Sequence, residues 1–417
     1  MPAMTEQVVI VGGGIGGLGA ALALSREGVG VDLLEQAAAF GEVGAGLQLG
    51  PNAVRVLDAW GLRDALKAVA AFPESLQVRD AHSGKTLGSL RLGTEARRRY
   101  GQPYATLHRA DLHGLLLKAV ERGSGVRLHL NHRVASYGEV GNAVQVTCED
   151  ESRFEGRALL GCDGLWSRVR CQMLGAKAAR SSGHLAYRGL VRTSDLPVAS
   201  RAPAVTAWLG PKLHAVHYPV RGGEWFNVVV VVHGVIGHGH GGEVGSDPHS
   251  WTHAAHAADL CRSLGPASAD LLGTIEAVSE WKLWPLNDRA PMAGAHEHAR
   301  GRVGLLGDAA HPLRPYLAQG AAMALEDAWT LGQLVGGSKG LAIDWVTLLQ
   351  RFAQTRWQRN ARVQSRSARN GSIFHADGPL RWARNASMLA LGEGLLDNPW
   401  LYEGPPPVVY AVSPLNP

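Results

Sequence analysis

The chain has 417 residues, of which 46% are hydrophobic and 18% charged, and it carries a formal net charge of +5 with a pI near 9.1. This length allows two or more domains and a large core. The basic excess is mild and spread along the chain, without the long basic arm or basic–aromatic stripe that binds nucleic acid. We therefore expect an anionic small molecule or cofactor as its partner. The apolar run over 228–232 is far too short to cross a bilayer.

The first pattern in the chain is an apolar run over 8–11 that ends in glycines with the spacing G-x-G-x-x-G. A helix-like stretch, 18–26, and a second apolar run, 29–34, follow, and Glu35 ends the second run. Strand, glycine turn, helix, strand and acid in this order are typical of a dinucleotide site. An ordinary glycine-rich turn is the alternative, but the complete pattern favours the dinucleotide.

The glycine positions explain how such a site would work. Gly12 permits the tight turn, Gly14 lets the backbone approach a pyrophosphate, and Gly17 lets the helix pack close to the strand. The helix N-terminus then offers free N–H groups and a partial positive charge to the phosphates. Glu35 stands where a carboxylate accepts hydrogen bonds from a ribose.

Compartment and cysteine chemistry follow from simple features. The glycine pattern starts so close to Met1 that it leaves no room for a signal or transit peptide, and we expect a cytoplasmic protein. The four cysteines form no C-x-x-C pair, so we expect reduced, mostly buried thiols rather than a zinc site or a redox dithiol.

Hydrophobic periodicity predicts the remaining elements in chain order. Segment 40–51 reads as a glycine-rich loop that can lie against a ligand, and Pro51 starts a helix over 52–60. The α/β alternation of the first part gives way to a strand-rich region, which suggests a second domain. The predicted strands lie within 76–92 (with a turn at 82–85), at 126–130, 143–147, 158–161 and 303–308, and through most of 188–235; the predicted helices begin near 112 and 251 and cover 319–335 and 345–369.

Two later motifs make the first one more specific. A strand ends in Asp163-Gly164 and continues to Arg170, and another ends in Gly307-Asp308 and continues through 309–328. Either motif alone could be a structural turn, because Asp commonly caps the helix that follows. Together, and behind the opening pattern, they resemble the single-component FAD-dependent aromatic hydroxylases, the group A flavoprotein monooxygenases. The resemblance covers nearly the whole chain.

The resemblance implies an α/β fold: a Rossmann-like, glutathione-reductase-type FAD-binding domain, an inserted sheet-rich substrate domain and a C-terminal helical region. The implied boundaries place 1–75, 105–175 and 287–375 in the FAD-binding domain, 76–104 and 176–286 in the substrate domain, and 376–417 in the helical region and tail. It leaves the oligomeric state open, with a homodimer as one option.

The resemblance also implies a set of FAD contacts. The glycine turn would meet the pyrophosphate, Glu35 the adenosine ribose, Arg109 the pyrophosphate region, and Asp308 the ribityl chain, while 315–321 would lie along the isoalloxazine. Asp163, Gly164 and Arg168 would serve both FAD and the transient NADH or NADPH. The complete implied cofactor set is Gly12, Gly14, Ile15, Gly16, Gly17, Glu35, Gln36, Gln48, Arg109, Asp163, Gly164, Arg168, Gly307, Asp308, Pro315, Gln319, Gly320 and Ala321.

Within the family, segments 44–52, 104–112 and 214–219 are similar to the 3-hydroxybenzoate 6-hydroxylase and salicylate hydroxylase group. That likeness places His214 and Tyr218 in the substrate pocket with Tyr104 opposite. The chain departs from it at Pro315, where the 3-hydroxybenzoate enzymes carry a Gln that touches the substrate. The exact aromatic substrate therefore stays open.

The implied chemistry is hydroxylation of a small phenol or aromatic acid with NAD(P)H and O2, through a flavin C4a-hydroperoxide. An electron-rich ring is needed, and His214 is the candidate base for the phenol proton, with Tyr218 or Tyr104 orienting the ring. The alternatives are a same-fold monooxygenase for a larger quinone-like or heteroaromatic substrate, a non-catalytic flavin sensor, and a plain NAD-dependent dehydrogenase.

The other histidines are expected to be structural. His217 differs from His214 in strand parity and should point to the other face, and His311 should lie under the flavin. No metal site is expected: a solvated loop is the preferred explanation for the histidines at 233, 238, 240, 249, 253 and 256.

Overall fold

The computed structural model describes residues 7–41, 45–175, 179–234, 253–255, 257–338 and 341–405. The predicted α/β start, the strand-rich middle and the helical C-terminal part are all present in this part of the chain. In order, its strands and helices are β1 (Gln7–Val11), α1 (Ile15–Arg26), β2 (Gly30–Leu34), β3 (Gly46–Leu49), α2 (Pro51–Ala59), α3 (Arg63–Val69), β4 (Ser75–Asp80), β5 (Thr86–Arg91), α4 (Gly93–Tyr100), β6 (Ala105–His108), α5 (Arg109–Arg122), β7 (Val126–His129), β8 (Val134–Val140), β9 (Ala143–Cys148), β10 (Arg153–Gly156), β11 (Ala158–Gly161), α6 (Arg168–Leu174), β12 (Arg180–Arg192), β13 (Ala204–Gly210), β14 (Leu213–Val220), β15 (Trp225–His233), β16 (His253–Ala255), α7 (Ala257–Leu264), α8 (Ala269–Glu276), β17 (Trp281–Asp288), β18 (Ala299–Arg300), β19 (Val303–Leu305), α9 (Gly320–Gly336), α10 (Trp345–Phe374), α11 (Gly378–Leu391), α12 (Glu393–Leu396) and α13 (Pro399–Tyr402).

A six-stranded sheet with the order β18-β19-β11-β1-β2-β7 forms the centre of the first layer. All its neighbouring strands run parallel except β18 and β19. Both faces of β1 are covered: Val8 and Ile10 pack with helices α1, α5 and α9, and Val9 and Val11 pack with the antiparallel sheet of β8, β9 and β10. Burial on both faces explains why 8–11 is a continuous apolar run rather than an alternating one.

An eight-stranded sheet with the order β16-β17-β12-β15-β14-β13-β4-β5 forms the second layer. One face packs against α7 and α8, and the other face meets Tyr316 and Phe374. The two-stranded sheet of β3 and β6 joins the layers, because Gly46 N–H donates to the Asn227 side-chain oxygen at 2.7 Å and the Thr106 hydroxyl donates to the Pro219 carbonyl at 2.5 Å.

The C-terminal part is helical, as predicted. Helix α10 runs to Phe374, five residues beyond the predicted end at Arg369, because no Gly-Pro break occurs before Gly378 and Pro379. Within the described ranges, no helix combines the length and the apolar character needed to cross a membrane.

The glycine turn between β1 and α1 is fixed by close contacts. Gly12 has φ +104°, and a Cβ there would lie 2.4 Å from the Cys162 carbonyl oxygen. A Cβ on Gly17 would lie 1.8 Å from the Gly12 carbonyl oxygen. Both atoms in the way belong to backbone, so a side chain at either position forces the strand and the helix apart.

We expect Gly17→Ala to prevent folding or to lower the thermal unfolding midpoint sharply. The new Cβ would clash with the Gly12 carbonyl, and a shift of Gly12 away from that Cβ would break its packing against Cys162. Gly114→Ala is the matched control: it also lies in a helix, and its Cβ would meet nothing within 4 Å. There alanine should stabilise by about 0.5–1 kcal/mol. Equal midpoints for the two variants would contradict this account of the turn.

Candidate active site

The three sequence motifs meet in space although they are far apart in the chain. A Cβ on Gly12 would lie 3.0 Å from the Cα of Asp163, which joins the first motif to the second. A Cβ on Gly16 would lie 3.7 Å from the Cβ of Ala324, and a Cβ on Gly307 would lie 3.2 Å from the same atom. The glycine turn therefore touches both later motifs, and all three belong to one site.

Helices α1 and α9 pack in the same direction with small residues at their contact. Gly16 faces Ala324, and Gly19 faces Ala328, whose Cβ would lie 3.3 Å from a Cβ on Gly19. Since both sequence numbers rise together along the contact, the helices are parallel. Their N-terminal ends, at Ile15 and Gly320, consequently lie at the same edge of the molecule.

Neither of these helix N-termini is closed by a side chain. Gly14 precedes α1 and Gln319 precedes α9, and neither makes a side-chain capping bond. A Cβ on Gly320 would meet nothing within 4 Å, so space is open there. Unsatisfied N–H groups and the helix dipoles make both ends suitable for anionic groups, such as a pyrophosphate or an electron-rich ring edge.

Glu35 lies directly against the glycine turn. One carboxylate oxygen accepts the Gly13 N–H at 2.7 Å, and the other accepts the Ala37 N–H at 2.8 Å. The carboxylate is thus held at the end of β2 beside the turn. Gln36 lies apart from the turn, where its side-chain oxygen accepts a bond from Arg133 at 3.1 Å.

The second motif has a visible structural function. The Asp163 carboxylate accepts the N–H groups of Arg168 and Val169 at 2.8 and 3.2 Å, so it caps α6. Burial raises the pKa of Asp163, and its other carboxylate oxygen is buried without a hydrogen-bond partner among the described residues. The Arg168 guanidinium contacts Glu149 at 2.9 Å at the surface.

Asp308, the acid of the third motif, is exposed and lies within electrostatic reach of Arg109. Its side chain is accessible, yet desolvation by the surrounding protein raises its pKa, and the charge of Arg109 opposes that rise. Arg109 begins α5, and its charge also acts on Arg188. Arg109 and Asp308 therefore lie close enough for their charges to interact.

The predicted tyrosines meet at Gln48. The Tyr104 hydroxyl donates to the Gln48 side-chain oxygen at 2.8 Å, and Gln48 also hydrogen-bonds Tyr218. Burial raises the pKa of both phenols, so both are neutral. Gln48, which is predicted to contact the cofactor, also links the two tyrosines.

His214 and Tyr218 share one face of β14, about 13 Å apart along the strand. His214 is buried, and its ring centroid lies 5.1 Å from that of Tyr316 and 5.5 Å from that of Phe374. Burial lowers the pKa of His214 to about 3, below the value near working pH expected of a base. His217 points to the opposite face, as its parity predicts.

The turn Pro315–Leu317 brings the third motif to the substrate side. Tyr316 is buried next to His214, and its hydroxyl oxygen lies at hydrogen-bond distance, 2.5 Å, from Nδ1 of His184. This turn therefore joins the Gly307 motif to the N-terminus of α9 and packs Tyr316 against the face of β14. This contact between the two layers was not predicted, because Tyr316 belongs to the third motif but its partner His184 belongs to no recognisable motif.

Arg188 is a second residue of the site that was not predicted. Its guanidinium carbon lies 4.4 Å from the centroid of the Trp284 ring, and burial lowers its pKa to about 10. The Nε atom is buried and has no hydrogen-bond partner within the described part of the chain. The nearest charges and titratable groups that act on it are Tyr218 and Arg109. The family resemblance covers Arg188 and Gly189, but it assigned Arg188 no place in the site.

A network of buried charged side chains holds the Gly307 turn in place through a hydrogen bond to its backbone. Asp327 accepts from the Gly307 N–H at 3.1 Å, lies 2.6 Å from His311 Nε2, and accepts from Arg356 at 2.8 Å. Arg356 also donates to Glu326 at 2.8 Å. His311 is thus structural, as predicted, and it acts through Asp327.

One family match covers most of the chain. The family described as "FAD binding domain" matches residues 5–366. This chain belongs to that family. The three motifs that suggested FAD thus meet in one site of an FAD-binding fold.

Its relatives are aromatic hydroxylases. The chain is 38% identical over 382 residues to a 3-hydroxybenzoate 6-hydroxylase of Polaromonas naphthalenivorans (strain CJ2), covering 91% of this chain and 90% of the relative. It is 34% identical to a 3-amino-4-hydroxybenzoate 2-monooxygenase of Streptomyces platensis, covering 95% of each. The solved salicylate hydroxylase substrate complex superposes with a TM-score of 0.80 at 26% identity, covering 96% of each chain. The chain is accordingly an FAD-dependent aromatic hydroxylase, as the motifs predict.

The residues present fit FAD. Two uncapped helix N-termini, the Glu35 carboxylate at the glycine turn, and Asp308 with the neighbouring charge of Arg109 supply groups for phosphate, ribose and ribityl hydroxyls. The helix N-termini, Glu35 and Asp308 lie on the first and third motifs, which the close glycine contacts bring together, and Arg109 lies at the start of α5.

We expect Asp327→Asn to lower the free energy of unfolding by about 3–5 kcal/mol, because it leaves the buried Arg356 without a full counter-charge. The pKa of Asp327 lies below its ordinary value of 3.8, so its contribution is complete above that pH and is lost only as the pH falls through the lowered pKa. Urea unfolding at pH 7.5 measures the loss.

Glu224→Gln is the matched control for this prediction, since Glu224 forms an exposed pair with Arg192 at 3.2 Å. Its loss should cost less than about 1 kcal/mol. If the two variants unfold at the same urea concentration, the network does not support the turn.

Proposed function

We propose that this chain hydroxylates a small phenolic carboxylate, a hydroxybenzoate such as 3-hydroxybenzoate or salicylate, with O2 and NADH or NADPH. The observation that carries the carboxylate is Arg188: a half-buried cation beside Tyr218 and near Arg109, whose Nε atom is buried and has no hydrogen-bond partner among the described residues. Such a group is costly unless an anion joins it. A substrate carboxylate would supply that anion.

In this proposal the glycine turn and the N-terminus of α1 hold the FAD pyrophosphate, and Glu35 holds the adenosine ribose. Arg109 and Asp308 bind the pyrophosphate region and the ribityl chain, and the N-terminus of α9 meets the ring system behind Pro315. Bound FAD supplies the hydride acceptance and the activation of O2 that no side chain offers.

The chain's own residues position the substrate and control its proton. Arg188 binds the carboxylate, and Tyr218 and Tyr104, linked through Gln48, orient the ring. Nε2 of His214 accepts the phenol proton, which makes the ring electron-rich. The dry surroundings of the buried His214 and Tyr316 keep water from the reacting carbon.

The decisive experiment is a substrate titration of the purified protein. A flavin spectrum should be present, and hydroxybenzoates should stimulate NADH or NADPH oxidation and appear as dihydroxylated products. Stimulation only by a larger quinone-like or heteroaromatic compound would replace the proposed substrate class. A yellow protein that no aromatic compound stimulates would indicate a flavin sensor.

We expect Arg188→Gln to raise KM for a hydroxybenzoate by about 10- to 100-fold, the worth of one charge-assisted hydrogen bond. KM for the matching phenol without a carboxylate should change little. The measurement is steady-state NADH oxidation with both compounds.

Arg192→Gln is the control, because Arg192 lies on the same strand and also stacks on a tryptophan, Trp225, at 4.6 Å, but at the exposed end. It should leave both KM values unchanged. Equal effects of Arg188→Gln on the two compounds would mean that Arg188 does not bind the carboxylate.

A further inference from the structure

Four histidines from distant parts of the sequence meet at one end of the neighbouring strands β12, β15 and β14 of the eight-stranded sheet. We call them the histidine cluster: His184 from β12, His214 from β14, His233 from β15 and His375 at the end of α10. Their ring centroids are 4.5 to 5.0 Å apart where they touch. His233 was expected in a solvated loop; it ends a strand instead, and the other loop histidines lie outside the described residues or have undescribed side chains.

Three members of the cluster form a continuous chain of hydrogen bonds. Nδ1 of His214 lies 2.7 Å from Nε2 of His375, and Nδ1 of His375 lies 2.9 Å from Nε2 of His233. Exposure increases along this chain, from 3% for His214 and 6% for His375 to the exposed side chain of His233. The row of hydrogen-bonded histidines therefore connects the buried face of β14 with the protein surface.

The end of α10 is fixed, so this alignment is built into the fold. The Lys212 N–H donates to the His375 carbonyl at 3.1 Å. Arg384 donates to the Phe374 carbonyl at 2.8 Å. The imidazole of His375 consequently stays between its two partners.

A neutral imidazole carries one N–H donor and one acceptor nitrogen. If Nδ1 of His214 donates to His375, then Nδ1 of His375 donates to His233, and Nε2 of His214 is left as an acceptor. Among the described residues, the one hydrogen bond of the His214 side chain is the bond that its Nδ1 makes with His375. If both hydrogen bonds run in the opposite direction, every nitrogen between the rings again has a partner. The row of histidines therefore has two states, and they differ by the transfer of one proton from one end of the row to the other.

We propose that His375 and His233 relay to solvent the proton that His214 takes from the substrate, a step that rests on the function proposed above. The phenol O–H bond breaks and a bond to the proton forms at Nε2 of His214. The Nδ1 proton of His214 passes to Nε2 of His375, the Nδ1 proton of His375 passes to Nε2 of His233, and His233 releases its Nδ1 proton to water. The products are a bound phenolate and one proton in solvent.

The surroundings explain why a relay is needed rather than a single base. Burial lowers the pKa of His214 to about 3 and that of His375 to about 2, so neither holds a proton for long. The groups that act on the cluster are mostly cationic: Arg384 on His375, Lys212 on His233, and Arg314 with the opposing Asp288 on His184. These cations disfavour a positive charge on the imidazoles, so a proton that His214 accepts moves on towards the protein surface.

His184 stands beside the relay but not in it. Its Nδ1 is hydrogen-bonded to the Tyr316 hydroxyl, and its ring packs against those of His233 and His375. His375 and His233 are thus positioning residues for proton transfer, whereas His214 alone would touch the substrate.

The test is stopped-flow mixing of the FAD-loaded protein with 3-hydroxybenzoate in weak buffer. Phenolate absorbance and a pH-indicator dye report deprotonation and proton release without turnover. Wild type should show both at one rate. His375→Phe keeps an aromatic ring but breaks the chain, and should slow both about 100-fold while leaving Kd nearly unchanged.

His233→Ala provides a second variant at an exposed position, where folding is not at risk. Its proton release should become slow and should recover as imidazole is added to the buffer, whereas the wild-type rate should not depend on imidazole. His217→Gln is the control, because His217 is equally buried on the other face of β14. It should behave as wild type.

The outcomes separate the relay from the function. Wild-type deprotonation rates in His375→Phe, or a His233→Ala rate that is normal without imidazole, would overturn the relay and leave the hydroxylase function standing. If wild type neither binds a hydroxybenzoate nor forms its phenolate, the proposed function and the relay both fail.

Discussion

The Gly307 turn depends on one buried ion pair, between Asp327 of α9 and Arg356 of α10. Both side chains are fully buried, and Asp327 also accepts the backbone N–H of Gly307. A buried pair contributes little net stability, since desolvation of the two charges offsets their attraction. Its consequence is geometric: α10 can approach α9 in only one register, and the register fixes where Asp308 faces.

The same network extends to the other cofactor-facing segments. Asn52 of α2 donates to Glu326 at 2.8 Å and to Gln319 at 3.1 Å. Arg359 donates to both Glu326 oxygens at 2.7 Å. One connected set of charges and amides therefore holds α2, α9, α10 and the start of α9, where the open N–H groups lie. Preorganised backbone donors of this kind need no rearrangement when an anion arrives.

Sequence reasoning succeeded where the signal is local. The glycine turn, Glu35 and the Gly-Asp motif carry their own geometry, and periodicity identified most strands and helices. It was weaker wherever one pattern has two meanings: an Asp after a strand is typical of both a cofactor contact and a helix cap, and Asp163 caps α6. It could not find Arg188 or His375, because their surroundings are created by strand register and by the end of a 30-residue helix. The pKa of His214 likewise depends on burial, which no single motif encodes.

The charges around the proposed substrate site agree with binding of an anionic phenol. The groups that act there, Arg188 and Arg109, are cationic, while the tyrosines and histidines are held neutral by burial. Cations favour the ionised forms of both a carboxylate and a phenol, so they lower the pKa of the substrate rather than raise that of the protein. A weakly basic histidine is then sufficient, provided that the proton leaves. Tight burial and a path to the surface are therefore not opposing demands: burial keeps the phenolate dry and reactive, and the path allows it to form.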